Sequence, residues 1–540
     1  MALCLAGEGW SNMRKFNVNG LCVPHKHYMV DISEKVRQIL KLVNDEHYFT
    51  INRARQYGKT TTLNQLENAL LNSGDHFCAS ISFEEQGLND FDTEAAFCDM
   101  FLSKISHALL MTNAGEEYSE SWYASEVTEI RGLGRHITKM CKGKKLILMI
   151  DEVDKTSENR LFLHFLGMLR AKYLSRQAEA DYTFHSVILA GVTDIKNLKL
   201  KMINDGLHEP LAEEGRIFNS PWNIAAAFDV DMSFSPDEIS TMLVSYEKDH
   251  NTGMDISLIS NEIYRHTEGY PFLVSRICKH IYDQTDGNWT TSGVEEAVAF
   301  ILGEENTLFD DMSKNMENHK NLYDFMYELI ILGEHKDFNL MVPVVKLASM
   351  FGYIKKANGK GKAVVSNRIF ENALARYFVT NNANINQDSR RKPGVIYQDI
   401  IKGGIFDMEM CILKFAEHYR EIYAEEDEQF LERHGRLIFL TYLKPLLNGQ
   451  GFYHLESQFT DRRRMDIVVD FEKQQFIVEL KIWRGPACQE DAYNQLLGYM
   501  ESKNANEGYL LTFDFRKNAN KEYKAEWVDC EGKRIFEVVV

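Results

Sequence analysis

The first 217 residues alternate between short apolar runs and stretches with helical periodicity. The apolar runs cover residues 48–51, 77–83, 145–150 and 185–191. Continuous runs of this kind are typical of strands that are buried on both faces of a parallel sheet. Amphipathic segments between them, such as the one through Phe97, Phe101 and Ile105, predict strand–helix–strand units. We therefore expect a doubly wound parallel sheet in residues 1–217.

The pattern changes at about residue 218, from where helical periodicity continues to about residue 305. Ser235 and Glu238 have the spacing of a capping box, in which each residue satisfies a backbone N–H at the start of a helix. Residues 218–305 are predicted to form a helical lid on the first domain.

Residues 306–379 combine helices with a strand, a turn rich in glycine and lysine, and a second strand. This combination predicts a winged-helix-like module. Its lysines could contact phosphates, although a solvated hairpin tip or a protein contact is the favoured interpretation. Residues 380–397 are polar and predict a linker to a last domain at 398–540, which opens with two helical stretches.

Gly58, Lys59 and Thr60 follow the first apolar run and precede a helical pattern. Strand, turn and helix in this order are the layout of a phosphate-binding loop, whose backbone N–H groups wrap phosphates. The lysine would contact the β- and γ-phosphates and the Thr60 hydroxyl would bind Mg²⁺. Arg53 occupies the position where the motif has glycine, so an ordinary exposed turn is the alternative on this evidence alone.

Asp151 and Glu152 end the third apolar run and decide between these alternatives. Carboxylates at the carboxyl end of a parallel strand face the crevice where such sheets bind ligands. Asp151 would hold the Mg²⁺ shell, and Glu152 would polarise the attacking water. Thr193 or Asp194, after the fourth run, could sense the γ-phosphate or could cap the next helix. Arginines at 216 and 276 are candidates for a catalytic trigger, although a surface ion pair is favoured.

A second group of chemically active residues lies near the C-terminal end of the printed sequence. Asp466 opens one apolar strand, while Glu479 and Lys481 lie two apart on the next. The two-residue period of a strand places Glu479 and Lys481 on one face, which Asp466 can reach from the neighbouring strand. These residues fit metal-assisted cleavage of phosphodiesters, with Gln495 on the following helix as a further candidate. The alternative is an ordinary amphipathic hairpin that carries a Glu–Lys pair.

Composition narrows the class of protein without identifying it. The chain has 540 residues, of which 44% are hydrophobic and 26% charged, as expected for several globular domains. Its net charge of −18 argues against a protein coated in basic surface. Nucleic-acid binding needs only a local basic groove, which Arg462 to Arg464 and Arg484 could supply. The nine cysteines include no C-x-x-C pair, and neither a signal peptide nor a membrane span is evident. A cytoplasmic location is the simplest expectation.

The chain resembles a known pairing of domains. Residues from about 16 to 215 resemble the bacterial AAA-ATPase-like family, through Tyr28-Met-Val-Asp31 and the Arg-rich loop that ends in Gly58-Lys59-Thr60. Residues from about 400 to 540 resemble the PD-(D/E)xK nuclease domain that is usually fused to that ATPase. In this resemblance the metal-binding aspartate falls on Asp466, and the family's first-helix glutamate lies nearest to Glu432.

The resemblance and the motifs together imply three sets of site residues. The expected catalytic residues are Glu152, Asp466, Glu479, Lys481 and Gln495. The expected nucleotide-binding residues are Arg53, Gly58, Lys59, Thr60, Thr61, Asp151 and Thr193. The expected metal ligands are Thr60, Asp151, Asp466 and Glu479.

The expected fold is an α/β multidomain chain: a P-loop ATPase core, a helical lid, a winged-helix-like module and a restriction-endonuclease-like α/β domain. The expected function is ATP-dependent processing of nucleic acid, DNA rather than RNA, with the ATPase controlling a metal-dependent phosphodiesterase. ATP and Mg²⁺ would be required, with Mn²⁺ possible at the nuclease site, and the chain could form homo-oligomers. A nucleotide-switched module that binds nucleic acid or protein, with little or no nuclease activity, is the alternative.

Overall fold

A computed structural model describes most of the chain. The described residues are 14–84, 88–112, 114–153, 160–192, 222–284, 287–331, 334–357, 361–385, 400–402, 405–423, 428–447, 451–457, 465–471, 474–483, 486–514 and 524–540. The chain divides into two compact units. The first unit comprises residues 1–297 with 349–352, and the second comprises 298–348 with 353–540.

The first unit is built on a four-stranded parallel sheet. Its strands are β1 (Tyr48–Asn52), β2 (Phe77–Ser82), β3 (Leu146–Asp151) and β4 (Ser186–Gly191), in the spatial order β1-β4-β3-β2. Every residue of β3 and β4 is buried, as expected for strands with both faces covered. Ala226 forms one parallel bridge to Phe49 on the free side of β1. The predicted parallel sheet is therefore confirmed.

Helices cover this sheet. They are α1 (Ser33–Asn44), α2 (Lys59–Ser73), α3 (Glu94–Leu110), α4 (Glu116–Glu120), α5 (Ile130–Cys141) and α6 (Arg160–Gln177), with a short 3₁₀ helix at Leu88–Phe91. Aromatic side chains of α3 and α6 dominate the core on one face, where Phe101 and Phe165 pack with ring centroids 4.8 Å apart. Helix α2 packs on β2 and β3. Burying this apolar surface is the main force that holds the layers together.

Four helices follow: α7 (Pro236–His250), α8 (Ile256–Thr267), α9 (Pro271–Asp283) and α10 (Thr291–Gly303). The predicted capping box is present at the start of α7. Ser235 Oγ accepts a hydrogen bond from the Glu238 backbone N–H at 3.2 Å, and the Glu238 carboxylate accepts one from the Ser235 N–H at 2.8 Å. Both bonds satisfy N–H groups that the first turn of a helix cannot pair internally.

The second unit begins within α10, whose residues 298–303 belong to it, and continues with helices and a small sheet. The helices are α11 (Thr307–Asn318), α12 (Lys320–Ile330), α13 (Pro343–Met350) and α14 (Arg368–Ile385), with Ser349 and Met350 of α13 grouped with the first unit. Strands β5 (Lys336–Asp337), β6 (Ile354–Lys356) and β7 (Lys362–Val365) form an antiparallel sheet in the order β5-β7-β6. Helices with a small hairpin match the expected winged-helix-like architecture.

The predicted linker begins later than expected. Helix α14 continues through Ile385, so the first six residues of the range 380–397 are helical. Phe378 and Val379 are fully buried just before this point, which anchors the helix, and the Thr380 hydroxyl donates to the Arg376 carbonyl within it. Polar composition alone cannot distinguish the last turn of a helix from a linker. Residues 386–399 lie outside the described part of the chain.

A six-stranded mixed sheet forms the C-terminal part of the second unit. Its strands are β10 (Gly451–Ser457), β11 (Met465–Phe471), β12 (Gln474–Ile482), β13 (Glu507–Phe513), β14 (Ala525–Cys530) and β15 (Lys533–Val539), in the order β10-β11-β12-β13-β15-β14. Strands β12, β13 and β15 are parallel, and the outer pairings are antiparallel. A separate two-stranded pair, β8 (Ile401–Lys402) and β9 (Ile405–Phe406), precedes it.

Helices lie on both faces of this mixed sheet, as expected of a restriction-endonuclease-like domain. They are α15 (Met408–Tyr423), α16 (Glu428–Leu447) and α17 (Pro486–Ser502). Helix α17 packs through Leu496 and Met500 on Val468, Ile477 and Leu510. On the other face, Phe513 contacts the rings of Phe415 and Tyr419 from α15. Across the described residues, no helix has the length and apolarity needed to cross a membrane.

Candidate ATPase and nuclease sites

The loop between β1 and α2 has the backbone geometry of a phosphate-binding loop. Gly58 occupies the position just before the first helical residue and has a φ of 76°, in the left-handed region. A side chain is disfavoured in that conformation, which explains the glycine. The N–H groups of the first turn of α2 have no partners within the helix and make this end a favourable site for phosphate.

Lys59 is the first residue of α2 and is only 6% exposed. Its ammonium group donates hydrogen bonds to the backbone carbonyls of Arg53 at 3.1 Å and Ala54 at 3.0 Å. These bonds offset the cost of burying a charge and hold Nζ against the loop. The arrangement fits the predicted role of Lys59 in binding the phosphates of ATP.

Asp151 and Thr60 come together as the predicted metal site requires. Thr60 Oγ1 donates to Asp151 Oδ2 at 2.6 Å, and Asp151 is 8% exposed at the end of β3. A hydroxyl and a carboxylate are the hard oxygen ligands that Mg²⁺ prefers, together with phosphate oxygens and water. The residues therefore fit this ion.

Glu152 lies immediately beyond β3 in an unusual backbone conformation. Its φ is 56°, and its N–H donates to Asp151 Oδ1 at 2.9 Å. A residue with a Cβ in this region costs energy, on the order of 1 kcal/mol, and such residues cluster at functional sites. The bond also fixes one oxygen of Asp151 while the other binds Thr60.

Other predicted nucleotide-binding residues make contacts elsewhere in the first unit. The Arg53 guanidinium donates to the Val230 carbonyl at 2.7 Å and lies 5.3 Å from the centroid of the Phe228 ring. Burial in this position lowers the pKa of Arg53. Thr61 Oγ1 accepts a hydrogen bond from the Cys22 N–H at 3.3 Å. The roles of Arg53 and Thr61 in nucleotide binding remain predictions, as does that of Thr193, which lies outside the described residues.

Sequence reasoning missed the residues that pack on the phosphate-binding loop. The Tyr270 hydroxyl donates to the Arg55 carbonyl, and its ring meets Tyr57 edge-on at 4.7 Å. The side chain of Pro271, which begins α9, lies 3.9 Å from where a Cβ on Gly58 would be. The signal was present as Gly269-Tyr270-Pro271, which interrupts the helical periodicity, but no local pattern shows what such a turn contacts. Arg276 lies on α9, and Arg216 is outside the described residues.

Three of the predicted nuclease residues meet between the mixed sheet and α17. Glu479 Oε1 lies 2.8 Å from Lys481 Nζ, and Lys481 Nζ donates to Gln495 Oε1 at 2.7 Å. Glu479 is fully buried and Lys481 is 3% exposed. Two charged groups in an apolar environment carry a desolvation penalty of several kcal/mol each, which close pairing offsets only in part. That cost supports a functional reason for their presence.

The position of Asp466 is known at the level of the backbone. The pairing of β11 with β12 begins with Ile467 opposite Val478. Asp466 directly precedes Ile467, and Glu479 directly follows Val478, so both residues lie at the same end of the paired run. The side chain of Asp466 is outside the described part of the structure, as are those of Glu432, Arg484 and residues 462–464. Among described residues, no group of three or more His, Cys, Asp or Glu side chains is arranged to hold a metal ion.

Comparison with known proteins agrees with the two kinds of domain that the sequence predicts. A family model described as an AAA-like domain matches residues 28–375, and the chain therefore belongs to this family. A model of the PD-(D/E)XK nuclease superfamily matches residues 452–525. The chain thus combines a P-loop ATPase-like domain with a nuclease-superfamily domain. No curated protein matches the chain.

Several solved structures are similar in part. The Walker-type ATPase PABY2304 of Pyrococcus abyssi is 12% identical, with a TM-score of 0.46, over 66% of this chain and 99% of that chain. Cdc6p of Pyrobaculum aerophilum is 12% identical, with a TM-score of 0.29, over 68% and 96% of the two chains. The Aeropyrum pernix ORC1 protein, solved in complex with DNA, is 12% identical with a TM-score of 0.27 and covers 66% and 94%.

Proposed function

We propose that this chain is an ATP-dependent nucleic-acid-processing enzyme in which the ATPase controls a metal-dependent phosphodiesterase. The observation that carries the proposal is the presence in one chain of two polar sites, each with a buried lysine and a buried carboxylate. Lys59, Thr60 and Asp151 form the first, in which Thr60 and Asp151 are joined by a 2.6 Å hydrogen bond. Glu479 and Lys481 form the second, 2.8 Å apart. Burying these lysines and carboxylates is costly, and both sites suit phosphate chemistry.

At the first site, Lys59 would exchange its two backbone carbonyl partners for phosphate oxygens of ATP. Thr60 and Asp151 would hold Mg²⁺, which supplies positive charge that stabilises the transferring phosphoryl group. Glu152 would orient and polarise the attacking water. The left-handed backbone at Glu152 supports this role, because it turns the chain sharply where β3 ends.

At the second site, Glu479 and Asp466 would hold Mg²⁺ or Mn²⁺, whose charge would favour attack on the scissile phosphate. Lys481 would orient or deprotonate water and stabilise negative charge on that phosphate. Gln495 would keep the Lys481 ammonium in place through their 2.7 Å contact. DNA is the proposed substrate, and RNA is the alternative that the assay below includes.

The decisive experiment measures cleavage of single-stranded DNA, double-stranded DNA and RNA, with and without ATP, in Mg²⁺ and in Mn²⁺. Lys481→Ala should abolish cleavage and leave ATP hydrolysis intact, whereas Lys59→Ala should abolish hydrolysis. Lys41→Ala and Lys314→Ala are matched controls, because both lysines are exposed on helices, one in each unit. If the proposal holds, Lys59→Ala should also alter the dependence of cleavage on ATP.

A wild-type protein that cuts none of these substrates under any condition would remove the nuclease half of the proposal. Tight ATP binding with slow turnover, together with nucleic-acid binding without cleavage, would instead identify a nucleotide-switched binding module. Light scattering with and without ATP tests the proposed homo-oligomer, since a change in mass on binding would show that the nucleotide controls assembly.

A further inference from the structure

Glu537 is a second fully buried carboxylate in the mixed sheet, and no predicted site includes it. It lies on β15, where its partner on the neighbouring strand is Leu510 of β13. Leu510 in turn pairs with Glu479 of β12. Paired residues in a sheet project on the same face, so Glu479 and Glu537 form one row, separated by two strand spacings, or about 10 Å. Both face α17, which packs on Leu510.

Three donors surround the Glu537 carboxylate. Oε2 accepts hydrogen bonds from the Tyr493 hydroxyl at 2.7 Å and from Lys524 Nζ at 3.0 Å, while Oε1 accepts one from Gln489 Nε2. Gln489 and Tyr493 lie one turn apart on α17. Burial and the neighbouring Glu537 charge raise the pKa of Tyr493, which keeps its hydroxyl a donor. Two contacts from one helix to one buried charge make a firm attachment, because hydrogen bonds to ionised groups are stronger than neutral ones.

Helix α17 carries Gln489 and Tyr493 on one side of its apolar stripe and Gln495 on the other. At 100° per residue, Ala492, Leu496 and Met500 centre the stripe that faces the sheet. Gln489 and Tyr493 lie about 20° and 60° to one side of Leu496, and Gln495 lies about 100° to the other side. Since β13 lies between β12 and β15, one flank meets Glu537 and the other meets Lys481. The helix is therefore attached on both sides of β13.

We propose that Glu537 is a positioning residue of the nuclease site, which holds α17 in the rotation that presents Gln495 to Lys481. The inference rests on the proposed nuclease function and extends it to a residue two strands away. Apolar burial is non-directional, so it leaves a helix more freedom to rotate than hydrogen bonds of limited length and angle do. A carboxylate that accepts bonds from Gln489 and Tyr493 removes that freedom.

The geometry leaves little tolerance for rotation. Side-chain atoms lie roughly 5 Å from the axis of a helix, so a rotation of about 20° displaces them by roughly 2 Å. A displacement of that size breaks a hydrogen bond such as the 2.7 Å contact between Lys481 and Gln495. Loss of Glu537 should therefore break the contact between Lys481 and Gln495 and leave Glu479 to hold the ammonium, although Glu537 and Lys481 do not touch.

The test uses the full-length chain and two readouts. Glu537→Gln removes the charge and keeps the volume, and Glu507→Gln is the matched control, because Glu507 lies on β13 in an exposed ion pair with Arg534. The first readout is the rate at which an amine-reactive reagent labels Lys481, followed by mass spectrometry. The second is cleavage of DNA, with the rate constant at saturating DNA separated from KM.

Glu537→Gln should speed the labelling of Lys481 and lower the cleavage rate constant by about 10- to 100-fold, the usual effect of removing a supporting partner. KM should change little, and Glu507→Gln should behave like the wild type. In a Gln495→Ala background, Glu537→Gln should cause no further loss of rate, because its effect passes through Gln495. A purely structural role would instead lower the rate in both backgrounds.

Wild-type labelling and wild-type cleavage in Glu537→Gln would overturn the proposal, as would additive losses with Gln495→Ala. If Glu537→Gln also removes the hydrogen-exchange protection of β12 and β13, the domain has unfolded. In that case Tyr493→Phe, which keeps the buried Glu537 charge, is tested in place of Glu537→Gln. For the proposal to stand, Tyr493→Phe must speed the labelling of Lys481 selectively. If the wild-type protein cuts nothing, the nuclease proposal fails, while the labelling readout still decides whether Glu537 positions Gln495 against Lys481.

Discussion

Replacing Lys481 with methionine should destabilise the C-terminal sheet far more than a surface substitution would. Methionine has nearly the volume of the lysine stem, so packing changes little. Glu479, however, loses its charge partner, because it is fully buried and its Oε1 lies 2.8 Å from the ammonium that is removed. Gln495 also loses the donor that its Oε1 accepts at 2.7 Å.

The magnitude follows from which groups are left uncompensated. Removing one partner of a buried ion pair typically costs about 3–5 kcal/mol, whereas replacing both with apolar residues is often neutral. The double variant Glu479→Leu/Lys481→Met loses the same contact with Gln495 as the single variant. The difference between the two variants therefore isolates the cost of burying the Glu479 charge alone, and the double variant should be the more stable of the two.

Hydrogen exchange in the full-length protein is the appropriate assay, because a chain with two units need not unfold in one step. The opening free energy of peptides from β11 and β12 should fall by about 3 kcal/mol or more in Lys481→Met, and by clearly less in the double variant. Peptides from β1 to β4 in the first unit serve as the internal control. A single variant within about 1 kcal/mol of wild type, or a double variant that is less stable than the single, would refute the reasoning.

Three further predictions concern the first unit. Thr60→Ala removes the hydroxyl that donates to Asp151 at 2.6 Å, and should lower Mg²⁺-dependent ATP hydrolysis by at least about 100-fold in a phosphate-release assay while Thr60→Ser retains most of it. Burial lowers the pKa of His185 to about 4, below its unfolded value near 6.5. The contribution of neutral His185 to folding stability is therefore present above pH 6.5 and is lost as the pH falls toward 4. His185→Gln should flatten that part of the curve of melting temperature against pH. Gly269→Ala should destabilise the first unit by more than about 2 kcal/mol, as measured by hydrogen exchange. The reason is that φ of residue 269 is 73° and the new Cβ would lie 1.9 Å from the Phe234 carbonyl oxygen. A loss of stability below about 1 kcal/mol would show that the turn relaxes easily.

Much of the first site could be predicted because its parts are local. Gly58 must adopt a positive φ at the start of α2, and Lys59 and Thr60 follow it in sequence. Asp151 ends an apolar run 91 residues later, and parallel strands place their carboxyl ends at one edge, so its meeting with Thr60 was predictable. The same holds for Glu479 and Lys481, which the two-residue period of a strand places on one face.

Other features depend on which elements become neighbours. Nothing local to Tyr270 and Pro271 shows that they pack on the phosphate-binding loop, and nothing local to Arg53 shows that its guanidinium binds the Val230 carbonyl. The reach of α14 through Ile385 was missed for a related reason, since buried Phe378 and Val379 anchor a helix whose last turn is polar.

The sequence by itself determined the two kinds of domain and the residues of each site that lie within one strand or one turn, because backbone period and conformational preference act over a few residues. Only the tertiary structure decided the order of strands in each sheet. That order places Glu537 in the row of Glu479, two strands away, and sets Gln495 and Tyr493 on opposite flanks of α17. Such placements depend on packing between distant segments, where the burial of apolar surface chooses the partners and no short pattern records the choice.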